Sequence, residues 1–257
     1  MIDTHAHVDF ECYDSRLEEV LSNAKKEGIE KIIIPGVRAK DYQKIVELIE
    51  KHDFLYGAVG VHPSEATEYS EQVHQQIREL AKHPKMVAIG EIGLDYYWDK
   101  TNIDKQKEIF KAQIDIAKEV NKPILVHDRD AHEDTFNILK EKNASDVGVV
   151  MHCFSGSVEF AQQCVKEGYY IALGGVVTFK NAKKPKEVAS KIPLENLLLE
   201  TDSPYLTPTP YRGEENEPSY VRFVAQEIAD LKGISLQEVD SQTTKNAYKL
   251  FNFDGNK

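Results

Sequence analysis

His5 and His7 stand one residue apart in the opening segment MIDTHAHVDF. Residues i and i+2 of a β-strand share a face, so the two imidazoles would aim at one point in space. That arrangement suits a metal ion, although an HxH triplet beside a polar turn means nothing alone. Similar residues recur after other strand-like runs: His62 in GVHP, Glu91 and Asp95 in GEIGLDYY, and His127, Asp128 and Arg129 after PILV. His152 follows VGVVM, and Glu200 and Asp202 stand in ETDSPYL. Of the nine histidines, His5, His7, His62, His127 and His152 therefore fall at strand ends. His52, His74, His83 and His132 lie on helical or loop segments, where solvation or capping is the expected role.

Bringing four imidazoles and two carboxylates from these strand ends to one barrel mouth without a counter-charge would be costly. A divalent ion, or two, supplies that charge. Imidazole suits Zn, Mn, Fe or Ni, and carboxylates also accept Mg or Mn. Six ligands exceed one tetrahedral site, which makes a two-metal cluster bridged by a carboxylate plausible.

The elements that must position these residues are eight short apolar runs. They cover 2–5, 31–37, 55–61, 86–90, 123–127, 147–152, 169–173 and 197–200. Their near-continuous apolar character predicts strands buried on both faces, as in parallel sheets. Amphipathic helical segments at 14–28, 41–52, 70–83, 103–121, 132–143 and 157–168 alternate with them, and 219–233 and 235–251 close the chain. Asp14 is a candidate cap for the first helix and Gly28 a candidate stop. Eight strands and intervening helices over 257 residues predict an α/β (β/α)8 TIM barrel, somewhat distorted, spanning 1–257 as one domain. A doubly wound open sheet is the alternative. In a barrel the strand C-termini form one mouth, which would gather the histidines and carboxylates above.

Lys and Arg number 32 against 43 Asp and Glu, a net charge of −11. This argues against a protein that coats nucleic acid through a basic surface, but not against local engagement of phosphates in a metal-charged cleft. No apolar run is long enough for a membrane span. The N-terminal segment lacks the basic and apolar regions of a secretory signal. Three cysteines without CxxC spacing are expected to be reduced thiols, which suits a cytoplasmic protein.

In order and spacing, DTHAHVD, GVHP, GEIGLDYY, HDRDA, MHCFSG, GG and ETDSPYLTP resemble the TatD-like metal-dependent deoxyribonucleases, a branch of the amidohydrolase-like TIM barrels. The resemblance runs from residue 2 to about residue 251. It implies that His5, His7, Glu91 and Asp202 hold one metal, and that Glu91, His127 and His152 hold the second, with Glu91 bridging. The implied cofactors are two divalent ions of the Mg, Mn or Zn kind. The implied activity is hydrolysis of DNA phosphodiesters, as a 3′–5′ exonuclease on single-stranded DNA or 3′ ends, with Asp202 as ligand and general base. His62 matches a position associated with the substrate phosphate; capping of its own loop before Pro63 is the other reading. Arg129 and Arg212 would steady phosphate, and Tyr96 or Tyr97 could stack on a base or simply pack under the loop.

Two departures stand out. Asp128 replaces a frequent serine, either orienting a ligand or lying solvated in its loop. Glu214 and Glu215 occupy a stretch where the family often has basic residues, which weakens the case for tight DNA binding. The competing reading is another hydrolase of the same barrels, acting on an amide, lactone or small phosphoester. Those relatives often bridge their metals with a modified lysine on strand four, where this chain has Glu91.

Overall fold

The computed structural model describes residues 1–98 and 100–253. Its strands are β1 (Ile2–Asp3), β2 (Lys31–Ile34), β3 (Leu55–Val59), β4 (Met86–Asp95), β5 (Ile124–Arg129), β6 (Val149–Met151), β7 (Tyr170–Leu173) and β8 (Leu197–Leu199). They belong to one sheet in chain order, with parallel pairing. The helices are α1 (Leu17–Lys26), α2 (Tyr42–Lys51), α3 (Glu71–Leu80), α4 (Ile103–Val120), α5 (His132–Glu141), α6 (Val158–Lys166), α7 (Lys183–Lys191), α8 (Val221–Lys232) and α9 (Leu236–Leu250). This is the strand order of a (β/α)8 TIM barrel. A doubly wound sheet would reverse its order at a switch point, and no reversal occurs. Among the described residues no helix is long and apolar enough to cross a membrane.

All eight expected strands are present, several shorter than their apolar runs. β4 is the exception, extending to Asp95 and buried along its whole length. The pairing register shifts between Gly57 and Ala58 and again between Ile89 and Ile92, so the sheet is irregular beside the segment that carries Glu91. The helix α7 escapes the sequence reading. Its KKPKEVASK buries only Val188 and Ala189, too few apolar positions for a clear periodic signal. Asp14 does not cap α1; Arg16 stands at the N-cap without a side-chain bond.

The chain packs as two compact units. One comprises Met1–Ile34, Cys153–Lys166 and Tyr170–Lys249; the other is built mainly from Pro35–His152. In the first, β1 pairs with β2 and β7 with β8. Beyond its last residue β1 also runs beside β8, where Thr4 N donates to Leu199 O at 3.0 Å. In the second, β3 to β6 pair in succession.

Within the second unit α4 does more than cover the sheet. Its buried face carries two glutamines, Gln106 and Gln113, among Ile109, Phe110, Ile114 and Ala117. Seven residues apart, they lie about two turns apart on one face. Each pairs both amide atoms with the backbone of a single residue. Gln113 accepts from Val61 N at 2.7 Å and donates to Val61 O at 3.1 Å. Gln106 accepts from Asp95 N at 2.9 Å and donates to Asp95 O at 3.1 Å. Val61 precedes His62, and Asp95 ends β4. The helix therefore fixes the backbone at two strand ends where polar side chains emerge.

Replacing Gln113 by Leu keeps the apolar volume and strands the buried Val61 N–H and C=O. We expect a loss of about 2–4 kcal/mol in unfolding free energy, read as a lower urea midpoint at unchanged m-value. A change below about 0.5 kcal/mol would show that the latch carries little of the local stability.

Candidate metal centre

In the first unit the chain continues past β1 and β8 as a hydrogen-bonded pair. Asp202 N donates to His5 O and His7 N donates to Ser203 O, both at 2.9 Å. This alternation brings the three side chains together: Asp202 Oδ1 lies 3.9 Å from His5 Nε2 and 3.5 Å from His7 Nε2. The two ring centroids are 5.1 Å apart, and His7 stacks on Phe10 at 4.5 Å. His5 is fully buried and His7 nearly so. Asp202 holds φ +54°, a left-handed conformation that aspartate tolerates better than most residues.

Behind this group Asp3 accepts from His5 N at 3.2 Å, from Thr201 N at 3.0 Å and from Thr201 Oγ1 at 2.6 Å. Complete burial, with the Glu200 charge adding to it, pushes the Asp3 carboxyl up to about 8 against these bonds. Glu200, also buried, accepts from Cys153 N at 2.6 Å. Asp3 and Thr201 thereby tie the end of β1 to the residue before Asp202.

In the second unit Glu91 projects from the middle of β4, 4 % exposed. Three imidazole nitrogens face its Oε1: His127 Nδ1 at 2.7 Å, His62 Nε2 at 3.5 Å and His152 Nε2 at 3.7 Å. The other His127 nitrogen, Nε2, meets Asp95 Oδ2 at 2.9 Å. His62 caps the short helical segment that follows it, its Nδ1 accepting from Ser64 N at 3.1 Å. Capping thus fixes the ring with Nε2 toward Glu91, so the two roles considered for this histidine are compatible. Gly93, at φ +145°, lets β4 run tight against β5 here. A Cβ on it would stand 2.0 Å from His127 O, which no side chain permits.

The electrostatics follow from burial and contact. Burial by itself would lower the His127 pKa. The Asp95 and Glu91 carboxylates outweigh it and push the imidazole up to about 9. Burial would conversely raise Asp95, but the His127 contact and the Trp98 N–H hold its carboxyl below the ordinary range. Asp95 stabilises positive charge on the far nitrogen of His127, the arrangement that makes an imidazole a better metal donor on its other side.

His5, His7 and Asp202 each offer one ligand atom, all within 4.8 Å of one another; Glu91, His127 and His152 form a second such set. Donors held about 2.0–2.2 Å from one ion are on the order of 3–4 Å apart, so both sets fit a divalent cation in spacing and in nitrogen–oxygen chemistry.

The comparisons agree with that donor chemistry. A family profile described as TatD related DNase matches residues 2–252. The chain belongs to the TatD family. A metal-dependent hydrolase from Bacillus subtilis (strain 168), YabD, whose own description calls it uncharacterized, is 53% identical over 251 residues, covering 98% of each chain. A second, YcfH of Escherichia coli (strain K12), is 37% identical over 260 residues, covering 100% of this chain and 97% of its own. The crystal structure of YjjV, a TatD homologue from Escherichia coli K12, superposes with a TM-score of 0.93 at 33% identity, covering 98% of both chains. This TatD-family chain is a metal-dependent hydrolase.

Other residues singled out in the sequence have definite places. Arg129 lies over the Tyr97 ring, 4.0 Å from its centroid, and 5.4 Å from that of Trp98. Arg212 donates to Thr207 O at 3.0 Å and lies 3.9 Å over the Phe179 ring. Asp128 is neither solvated nor seen against a ligand histidine: its Oδ2 meets His132 Nδ1 at 2.7 Å, with the carboxylate 5 % exposed. Tyr96 is committed to Asp134 through its hydroxyl at 2.7 Å. In the acidic loop Glu215 pairs with Arg16 at 3.0 Å. The residues the sequence reading missed are supports: Asp95 for His127, Asp3 with Thr201 for the His5 strand end, and the two glutamines of α4.

Asp95→Asn removes the charge behind His127. Metal affinity in this TatD-family chain should then fall about 10–100-fold, measured by chelator competition. In metal-stripped protein the folded His127 value of about 9 lies above the ordinary 6.5. Its stabilising contribution is fully present below about pH 6.5 and is lost as pH rises through about 9. Urea midpoints should fall across that window, and the fall should shrink in Asp95→Asn, where Glu91 alone still raises His127. Parallel pH profiles for the two proteins would contradict this.

Proposed function

We propose that the chain, working as one domain over residues 1–257, is a DNase that shortens single-stranded DNA or 3′ ends in the 3′–5′ direction. The observation that carries the reading is Glu91 Oε1 with imidazole nitrogens of His62, His127 and His152 around it. A carboxylate thus occupies the strand-four position that related amide, lactone and phosphotriester hydrolases often give to a modified lysine. On the family pattern His5, His7, Glu91 and Asp202 would hold one divalent ion, and Glu91, His127 and His152 a second, of the Mg, Mn or Zn kind. Such ions supply charge neutralisation at phosphate oxygens and acidify water.

The chain's own residues do the rest. Asp202 accepts the proton of the attacking water, for which its oxygen must come within hydrogen-bond reach of that water. Its left-handed backbone and the Asp3–Thr201 bonds fix the direction of that carboxylate. His62, held by its cap, directs Nε2 toward the substrate phosphate. Arg129 and Arg212 contribute positive charge to the phosphate backbone. The Arg16 contact to Glu215 draws off one of the negative charges that would oppose DNA.

End-labelled single-stranded DNA, incubated with metal-stripped protein and then with Mg, Mn or Zn restored, tests the reading. We expect stepwise shortening that returns with metal. In Glu91→Ala bound metal and activity should be lost together, with turnover down on the order of 1,000-fold or more. Full turnover with normal metal content in that variant would refute the assignment. Intact DNA beside hydrolysis of small phosphoesters would move the substrate to that class.

A further inference from the structure

Immediately after β4 the chain turns from fully buried to widely exposed. Asp95 is 1 % exposed, Tyr97 54 % and Trp98 69 %. The two rings meet edge to face, centroids 4.9 Å apart and planes at 89°. Arg129 sets its guanidinium over Tyr97 and alongside Trp98. The turn is tied down: Asp95 Oδ1 accepts from Tyr97 N at 2.9 Å and from Trp98 N at 3.0 Å. Tyr96 N donates to Arg129 O at 2.9 Å. The tied turn thus presents an indole and a phenol side by side to solvent, a paired aromatic surface open to a planar ligand.

We propose that Trp98, Tyr97 and Arg129 form a stacking platform for a nucleobase of single-stranded nucleic acid. The proposal rests on the nuclease reading and names how that substrate is held. Arg129 covers one face of Tyr97, leaving the Trp98 indole as the broad exposed surface. A nucleobase is the planar ring that such a surface accepts without regard to sequence. Its phosphates would meet the guanidinium beside it. The same Asp95 carboxylate that ties this turn holds His127 through its other oxygen, so the platform is registered against the Glu91 group by one side chain. The net charge of −11 leaves little to phosphate neutralisation, so a strand held here would have to draw on stacking. Binding led by phosphate neutralisation needs many cations, whereas stacking needs few.

Trp98 is the only tryptophan in the chain, so intrinsic emission reports this position directly. Metal-loaded protein is titrated with a hydrolysis-resistant phosphorothioate oligothymidine of about ten nucleotides, and with an abasic strand of equal length. The thymidine strand should quench the emission strongly and the abasic strand should not. By fluorescence anisotropy of labelled strands, Trp98→Ala should weaken binding about tenfold and Trp98→Phe by less than about threefold. Equal quenching by both strands, or binding without quenching, would overturn the platform. So would a Trp98→Ala variant that binds as wild type, or one that loses only self-association in light scattering. A parallel cleavage assay on ordinary DNA separates the two readings. Cleavage without quenching removes the platform alone, and base-dependent quenching without cleavage supports the platform while removing the nuclease.

Discussion

A buried carboxylate must be surrounded by donors or it destabilises the fold, and in this chain Asp95 meets that demand by organising everything near it. One oxygen receives two backbone N–H groups and shapes the turn that carries Tyr97 and Trp98. The other faces His127. Its backbone is clamped by Gln106 from α4. Its carboxylate oxygens are thus engaged on two sides and its backbone is held. His127 inherits that rigidity, and its Nδ1 is committed to the direction of Glu91 Oε1. The cost of burying one charge thereby becomes the precision of a donor set.

Asp3 plays the corresponding part in the other unit. It lies below His5 on the same strand and receives both the N–H and the hydroxyl of Thr201, joining two chain segments separated by nearly the whole sequence. Asn216 adds to the hold, donating to Thr201 O at 3.0 Å. The β1 and β8 strands are only two and three residues long, too short for ladder bonds alone to set the direction of His5, His7 and Asp202. Polar bonds beyond the strand ends do that instead. In both units the expected ligands are thus positioned by buried acids that are not themselves among them.

The fold was legible because parallel strands buried on both faces appear as unbroken apolar runs, and each such run in this chain is a strand. The candidate site left a related signal, histidines and acids at the ends of such runs, although Asp95 and Glu200 among them act as supports. What stayed hidden depends on contacts between distant segments. Gln106 and Gln113 look like polar interruptions of an amphipathic face, and only their backbone partners reveal them as clamps. The role of Asp95 is invisible until β4 is seen to run five residues beyond the expected strand, because a strand end at Gly90 would leave it in a loop. The Asp128–His132 pair did leave a signal, an acid and a histidine four residues apart across the start of α5. The expectation of solvation or capping for His132 hides that pairing. Arg129 and Arg212 were recognisable as cations, but their stacking on Tyr97, Trp98 and Phe179 comes only from tertiary placement.

Those two arginines bear on how an acidic protein engages a polyanion. A guanidinium laid on an aromatic face loses little of its charge and much of its freedom, so it meets a phosphate without first being ordered. Arg16 works differently, meeting Glu215 at 3.0 Å and Glu217 at 3.1 Å and reducing local repulsion rather than adding attraction. Positive charge in this chain is outnumbered, 32 lysines and arginines against 43 acids, and the Arg129 and Arg212 guanidiniums are held on aromatic faces. That distribution disfavours indiscriminate coating of nucleic acid, where many mobile lysines would be needed. On the proposed nuclease reading, affinity would come from local contacts such as Arg129 and the exposed rings after β4. The acidity of the surface is compatible with that reading, because it discourages binding away from such contacts.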